Sequence, residues 1–352
     1  MILDSLPSEL VHMIVTVLCD SEEDWDAQQS ILSLCRTNKA LHAVAKEHLF
    51  EHAILTIPLT ASFFDIIAED ASLGEKSQNL RSKVKSLCFR LPPPPADSHD
   101  YWDITPWRGE RSRMAEDASR SKSRLEEAES HLLPNLKVVT ISGQNAQWWQ
   151  RQEPFVLPTE LRDQLQMTNT FIRRLVSSLG PEGEVREHGC SGPFSLCVPS
   201  RPSETPYRFD GVYTAHVDDI TAFNKSERQL TWPSTTPHFI VHEQEGEASH
   251  VVMFSAFLLT LYRNSKYSGS TTPNNITIWG PYRKDHPRDE NGKPTDDPSK
   301  IVTVESLQED ARALTDTRWR DIVTCHYLED APGWPFDGQR QSSFVESTQE
   351  GL

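Results

Sequence analysis

Short apolar runs with strand character recur along this chain, separated by stretches with helical spacing, and that rhythm limits the fold more than any other feature. Lys83–Leu91 sets Val84, Leu87 and Phe89 among charges, and Leu136–Ile141 is a second run, rich in β-branched residues. Asn275–Trp279 and Ile322–Tyr327 supply two more. Between them, Arg162–Leu179 is amphipathic at helical spacing and ends on Gly180-Pro181, a stop signal. His250–Tyr262 is apolar enough for a buried helix, and Val304–Arg320 reads as another. Strands alternating with helices predict an α/β array.

The runs are unevenly spaced, so no repeat period is expected from them. Two architectures accommodate an irregular α/β region of this kind, a degenerate leucine-rich-repeat solenoid and a compact α/β domain. Leu91-Pro-Pro-Pro-Pro95 must leave any sheet, because proline cannot donate to a ladder. With the charged stretch after it, it predicts a flexible insert near 91–131, and a second hydrophilic insert is expected near 283–300. The expected division is a helical domain over 1–55, an α/β substrate-binding or interaction domain over 56–335, and a loose tail over 336–352.

The N-terminal part reads differently. Leu6, Leu10, Ile14, Val17 and Leu18 share one face at helical spacing, with Ser5 placed as N-cap and Pro7 in the first turn. An acidic run follows (Asp20–Asp26), then a short apolar block (Ile31, Leu32, Leu34, Cys35) and a helix bearing Leu41, Val44, Ala45, Leu49 and Phe50.

This N-terminal pattern resembles the F-box, in the divergent form common in fungal proteins. The family opens on Leu-Pro-x-Glu-Leu/Ile, and here the residues are Leu6-Pro7-Ser8-Glu9-Leu10, with Ile14 one turn later. Ile31–Leu41 is similar to the family's second stretch, and Leu49-Phe50 to its usual ending. The acidic loop after Leu18 is longer than the family's, and Ala40 stands where a bulky aromatic is common. The resemblance implies a three-helix F-box that docks on a Skp-type adaptor and through it a cullin. Candidate interface residues are Leu6, Pro7, Leu10, Ile14, Leu32, Leu34, Cys35 and Leu41, with Glu9 as an orienting polar contact.

By the same resemblance the rest of the chain would bind a protein target, making the chain a substrate receptor of an SCF-type ubiquitin ligase. The alternative is an F-box scaffold acting outside a ligase. A third reading is an enzyme with its site within 135–330. The expectation is a non-catalytic subunit, with no catalytic residue and no cofactor.

Composition narrows the partners. There are 35 Lys and Arg against 51 Asp and Glu, a formal net charge of -16, and nucleic acid or an anionic membrane would select the opposite sign. No apolar stretch is long enough to span a bilayer, and the first twenty residues lack the basic start of a signal peptide. The 6 cysteines form no CxxC pair, which suits reduced thiols in an intracellular protein, cytoplasmic or nuclear.

Sequence signatures of chemistry are sparse. GxGxxG, GxxxxGK[ST], GxSxG and HExxH do not occur, and with 15 glycines phosphate-cradling loops are not expected. His238-x3-His242 could offer two imidazoles to zinc, but Pro237–His242 reads equally as a half-exposed strand. Cys190 and Cys197 lack the local signature of a nucleophile. Trp148 and Trp149, just after a turn-rich stretch, are candidate target-binding anchors, with core packing as the other reading.

Overall fold

Before the first strand, described helical residues fall at 8–19, 31, 33–35 and 39–51. In α1 (Ser8–Cys19), Val11 and Val15 lie four residues apart on one face, as do Leu41 and Ala45 in α2 (Lys39–Glu51). These four side chains and Ile31 form a small buried cluster. α2 passes without a break into β1 (His52–Thr56). Next come α3 (Thr60–Ser72), whose Ala61 N–H donates to Asp117 Oδ1 at 2.6 Å, and the short α4 (Leu80–Lys83).

The computed structural model describes residues 7–19, 31, 33–36, 39–56, 60–74, 77, 79–90, 116–117, 119–121, 123, 133–142, 171–188, 209–217, 220, 234, 236–242, 254–261, 274–290, 293–306, 308–309 and 322–332. Seven further strands complete the fold: β2 (Ser86–Arg90), β3 (Val138–Ser142), β4 (Glu184–His188), β5 (Val212–Val217), β6 (Pro237–Val241), β7 (Ile276–Trp279) and β8 (Val323–His326). They form one sheet in chain order, β1 to β8, and every pairing is parallel. Each connection therefore carries the chain back to the end of the sheet at which the strands start before the next strand begins. No described helix is long and apolar enough to cross a membrane.

This architecture corrects the expected one, a three-helix F-box followed by an irregular α/β region or a degenerate leucine-rich-repeat solenoid. The organising element is a single eight-stranded, all-parallel sheet. Its strands begin at residues 52, 86, 138, 184, 212, 237, 276 and 323, so successive starts lie 34, 52, 46, 28, 25, 39 and 47 residues apart. Leucine-rich repeats advance by about 20–29 residues, and most of these steps are longer. The N-terminal helices are also tied to the sheet, since Lys85 N–H donates to Glu51 O at 2.9 Å and the two side chains form an ion pair.

The two faces of the sheet differ in chemistry. On one, Leu87, Phe89, Val139, Ile141, Val185, Tyr213, Ala215, Phe239, Val241, Ile276 and Ile278 are buried in one large core. Helical residues 171–177 and 254–261 pack there, with Phe171 edge-on to Phe64 and Phe89 and Phe257 edge-on to Phe239 at 5.8 Å. Glu187 also points to this side, fully buried, and accepts a 2.8 Å hydrogen bond from the Tyr213 hydroxyl. On the other face stand His52, Thr140, Glu184, Arg186, Thr214, His238, Thr277 and Thr324, because successive side chains in a strand alternate between faces. A parallel sheet buried alike on both faces reads as continuous apolar runs; β4, Glu-Val-Arg-Glu-His, does not.

The exit from β7 needs a glycine. Gly280 has φ +90°, and a Cβ there would lie 2.1 Å from Val241 O. Gly280→Ala is expected to cost about 3 kcal/mol from strain and that contact. Urea denaturation would read the loss as a lower midpoint with an unchanged slope.

Candidate functional site

Two surfaces gather chemistry. The first is α1. Its inner face buries Val11 and Val15, yet Leu10, Met13 and Ile14, spaced i, i+3, i+4 on the outer side, are 41%, 58% and 41% exposed. A helix that is apolar on all sides belongs in an interior. Here one side is exposed, so a ready-made apolar contact surface stands beside the α1–α2 cluster.

The second surface is the polar face of the sheet, near the carboxyl ends of β4, β5 and β6. His188 and His216 are directly paired across β4 and β5, and their rings stack at 4.2 Å, 22° from parallel. His242, one residue beyond β6, continues the column with its ring 5.3 Å from that of His216. Its Nε2 lies 3.0 Å from His216 Nδ1, so one of the two imidazoles donates to the other. A second group stands on the same face, in which His238 meets Trp279 edge-on at 5.1 Å and Trp279 stacks on His326 at 5.9 Å. Arg186, one step down β4 from His188, holds Glu184 through two bonds of 2.9 and 3.0 Å.

Burial sets the protonation of this face. The His216 imidazole is held well below the usual histidine range by desolvation first, then by repulsion from His188, His242 and Arg186. His238 is lowered as well, by burial, against a smaller opposing pull from Glu184. His216 is therefore neutral at neutral pH. An unfolded chain protonates its histidines below about pH 6.5, whereas His216 and His238 in the folded chain resist until lower pH. Stability is thus full above that value and falls as pH drops through it, by up to about 1.4 kcal/mol per pH unit for each such group. Melting between pH 7.5 and 5 should show this decline, with a shallower slope for His216→Gln.

The structure separates the residues expected from the sequence. Leu10 and Ile14 are on the exposed stripe, with Pro7 exposed just before α1. Leu41 is buried in the small cluster, and Leu34 and Cys35 are half-buried against it; burial raises the Cys35 thiol, which disfavours a reactive thiolate. Glu9 lies in α1. Leu6, Leu32, Trp148, Trp149, Cys190 and Cys197 fall outside the described residues. His238 and His242 share a face but sit roughly 13 Å apart along β6. Among the described residues no group of three or more His, Cys, Asp or Glu is placed to hold a metal ion.

Met13, His188 and His326 were not singled out by sequence reasoning as site residues, and His216, followed by Asp218-Asp219, reads there as the start of a solvated turn rather than a metal site. The signal for the histidines was there: Glu184–His188 and Val323–His326 end on histidine, and Val212–Val217 and Pro237–Val241 carry one within a residue of their ends. Parallel α/β sheets place their sites at the carboxyl ends of strands, and titratable groups converge there in this chain. The expectation of a non-catalytic subunit, with no such convergence, is overturned by this all-parallel frame.

No family model matches the chain, and no curated protein matches it. Among solved structures it is similar to beta-glucuronidase 2 of Bacteroides uniformis, covalently bound to cyclophellitol-6-carboxylate aziridine. The identity is 11% and the TM-score 0.24, over 92% of this chain and 28% of that one. A likeness of that size carries no argument about fold or activity.

Proposed function

We propose that this chain is an intracellular adaptor that docks a Skp-type partner, and through it a cullin, by the outer face of α1, and presents a bound protein target to a ubiquitin ligase. The observation that carries the reading is the exposed row Leu10, Met13 and Ile14 on a helix whose other side is already buried. An isolated apolar residue at a surface needs no explanation, but three adjacent ones on a rigid helix form the i, i+3, i+4 anchor pattern of helix-mediated docking. Leu10 and Ile14 are also positions at which the segment resembles the F-box. Docking would raise the effective concentration of a bound target's lysines near the ligase. Co-purification with a Skp-type adaptor, comparing wild type with Leu10→Asp/Ile14→Asp, tests the reading.

The histidine column favours a second reading, in which the polar face of the sheet acts chemically on what it binds. It is distinguished by turnover that persists in the α1 double variant and is lost in His216→Gln with the fold retained. The two readings are compatible, because α1 and the sheet's polar face are separate surfaces.

A further inference from the structure

We propose that Met13 is a modification site: oxidation of its thioether to the sulfoxide by a peroxide withdraws the chain from its docking partner, and reduction restores it. The inference deepens the docking reading of α1 and rests on it.

The position selects the residue. Met13 is 58% exposed, the most open large apolar side chain among the described residues. Val11 and Val15 fill the side of α1 that packs on α2, which holds Met13 outward. Leu10 and Ile14 beside it are hydrocarbon side chains, so the Met13 sulfur is the one atom of the exposed row that a peroxide oxidises. The other methionines, Met1, Met114, Met167 and Met253, lie outside the described residues.

The step balances without a further reactant. A sulfur lone pair attacks one oxygen of the peroxide, the O–O bond breaks, and the proton of the transferred hydroxyl leaves with the other oxygen. With hydrogen peroxide the products are the sulfoxide and water; sulfur loses two electrons and the peroxide gains them. Methionine sulfoxide reductase reverses the step. It takes two electrons from a dithiol, which becomes a disulfide, and the oxygen leaves as water.

The consequence differs between the free and the docked chain. In the free chain the new oxygen faces solvent, so it costs the fold little. On docking it must leave water. From Leu10 onward the N–H groups of α1 are committed, those of Leu10 and Val11 to Pro7 O at 3.0 and 3.2 Å and later ones within the helix. Leu10 and Ile14 bring no side-chain donor. A strong acceptor is then buried without a partner in the middle of an apolar contact. Met13 thus turns from an anchor into an obstacle through one added oxygen. Docking in turn covers the sulfur, so the docked chain is protected.

The test treats the full chain with hydrogen peroxide, removes the peroxide, and reads conversion of Met13 by peptide mass spectrometry. Co-purification and titration with a Skp-type adaptor follow, with circular dichroism as the fold control. Met13 should oxidise in the folded chain at a rate close to that in urea, and more slowly in the complex. Full conversion should weaken docking by roughly tenfold to a hundredfold, the effect of burying one unpartnered polar group. Reductase with dithiothreitol should restore it. Met13→Leu keeps an apolar side chain of similar volume, and its docking, whatever its strength, should be the same before and after peroxide. Met13→Gln should weaken docking with no peroxide added. Untreated wild type that fails to bind overturns the docking reading and the switch with it. Untreated wild type that binds, and binds equally well as the Met13 sulfoxide, overturns the switch alone. An equal loss in peroxide-treated Met13→Leu would place the effect on another methionine or a cysteine and also overturn it.

Discussion

Leu10→Asp/Ile14→Asp is expected to abolish co-purification of this chain with a Skp-type adaptor while leaving the chain folded. Both side chains are already 41% exposed, so the free protein loses little core when they are replaced. In a complex, each aspartate would bury a carboxylate against apolar surface without a partner, costing several kcal/mol. Two such costs, with the lost apolar burial added, are as large as the roughly 8–12 kcal/mol of an ordinary micromolar to nanomolar contact. Met13→Asp alone should reproduce most of the loss, since at 58% exposed it is the most open of the three. Val11→Ala is the informative contrast: Val11 is 7% exposed and faces α2, so its truncation should lower stability by about 1–2 kcal/mol and leave docking in place. Wild-type protein that is folded yet fails to bind the adaptor would sink the docking reading.

Phe239→Ala is expected to cost about 3–5 kcal/mol, a large share of the 5–15 kcal/mol that holds a typical domain together. The ring is fully buried in the middle of β6 and packs edge-on against Phe257, which in turn stacks on Phe254 at 5.9 Å. Its removal opens a cavity between a central strand and a helix, where neighbouring backbone cannot collapse to fill it. The preceding residue gives the control. His238→Gln lies on the opposite face and gives up mainly its edge contact to Trp279, worth about 1 kcal/mol. Urea unfolding of both variants should show a large drop in midpoint for the first and a small one for the second. Comparable losses would mean that both faces of β6 are packed alike.

The elements that could be read from the sequence are those whose chemistry is local. β2, β7 and β8 lie within apolar runs, β3 overlaps one over all but its last residue, and residues 171–177 and 254–261 lie within stretches whose spacing is helical. β4 and β5 escaped notice. In Glu184–His188 only Val185 is an apolar core residue, and the other inward side chain is the carboxylate of Glu187, held by a tyrosine 26 residues later. In Val212–Val217 the polar residues interrupt the apolar run, so the strand has no distinctive pattern by itself. Propensity is a weak guide for such strands, because a neighbour's side chains decide whether they pack.

What the sequence by itself determined is the alternation of strands and helices and the apolar character of α1. It could not say which side of α1 remains open, since Leu10, Val11, Met13, Ile14 and Val15 are all apolar and only the packing of α2 selects Val11 and Val15. Nor could it bring the histidines together. His188, His216 and His242 lie 28 and 26 residues apart in the chain, and the sequence pairs His242 only with His238, not with the other two. Their stacking depends on the register in which β4, β5 and β6 pair, and a shift of one residue in any strand would send its histidine to the apolar face. That register is set by the backbone bonds and core side chains of the whole sheet acting together, and so the site exists only in the tertiary structure.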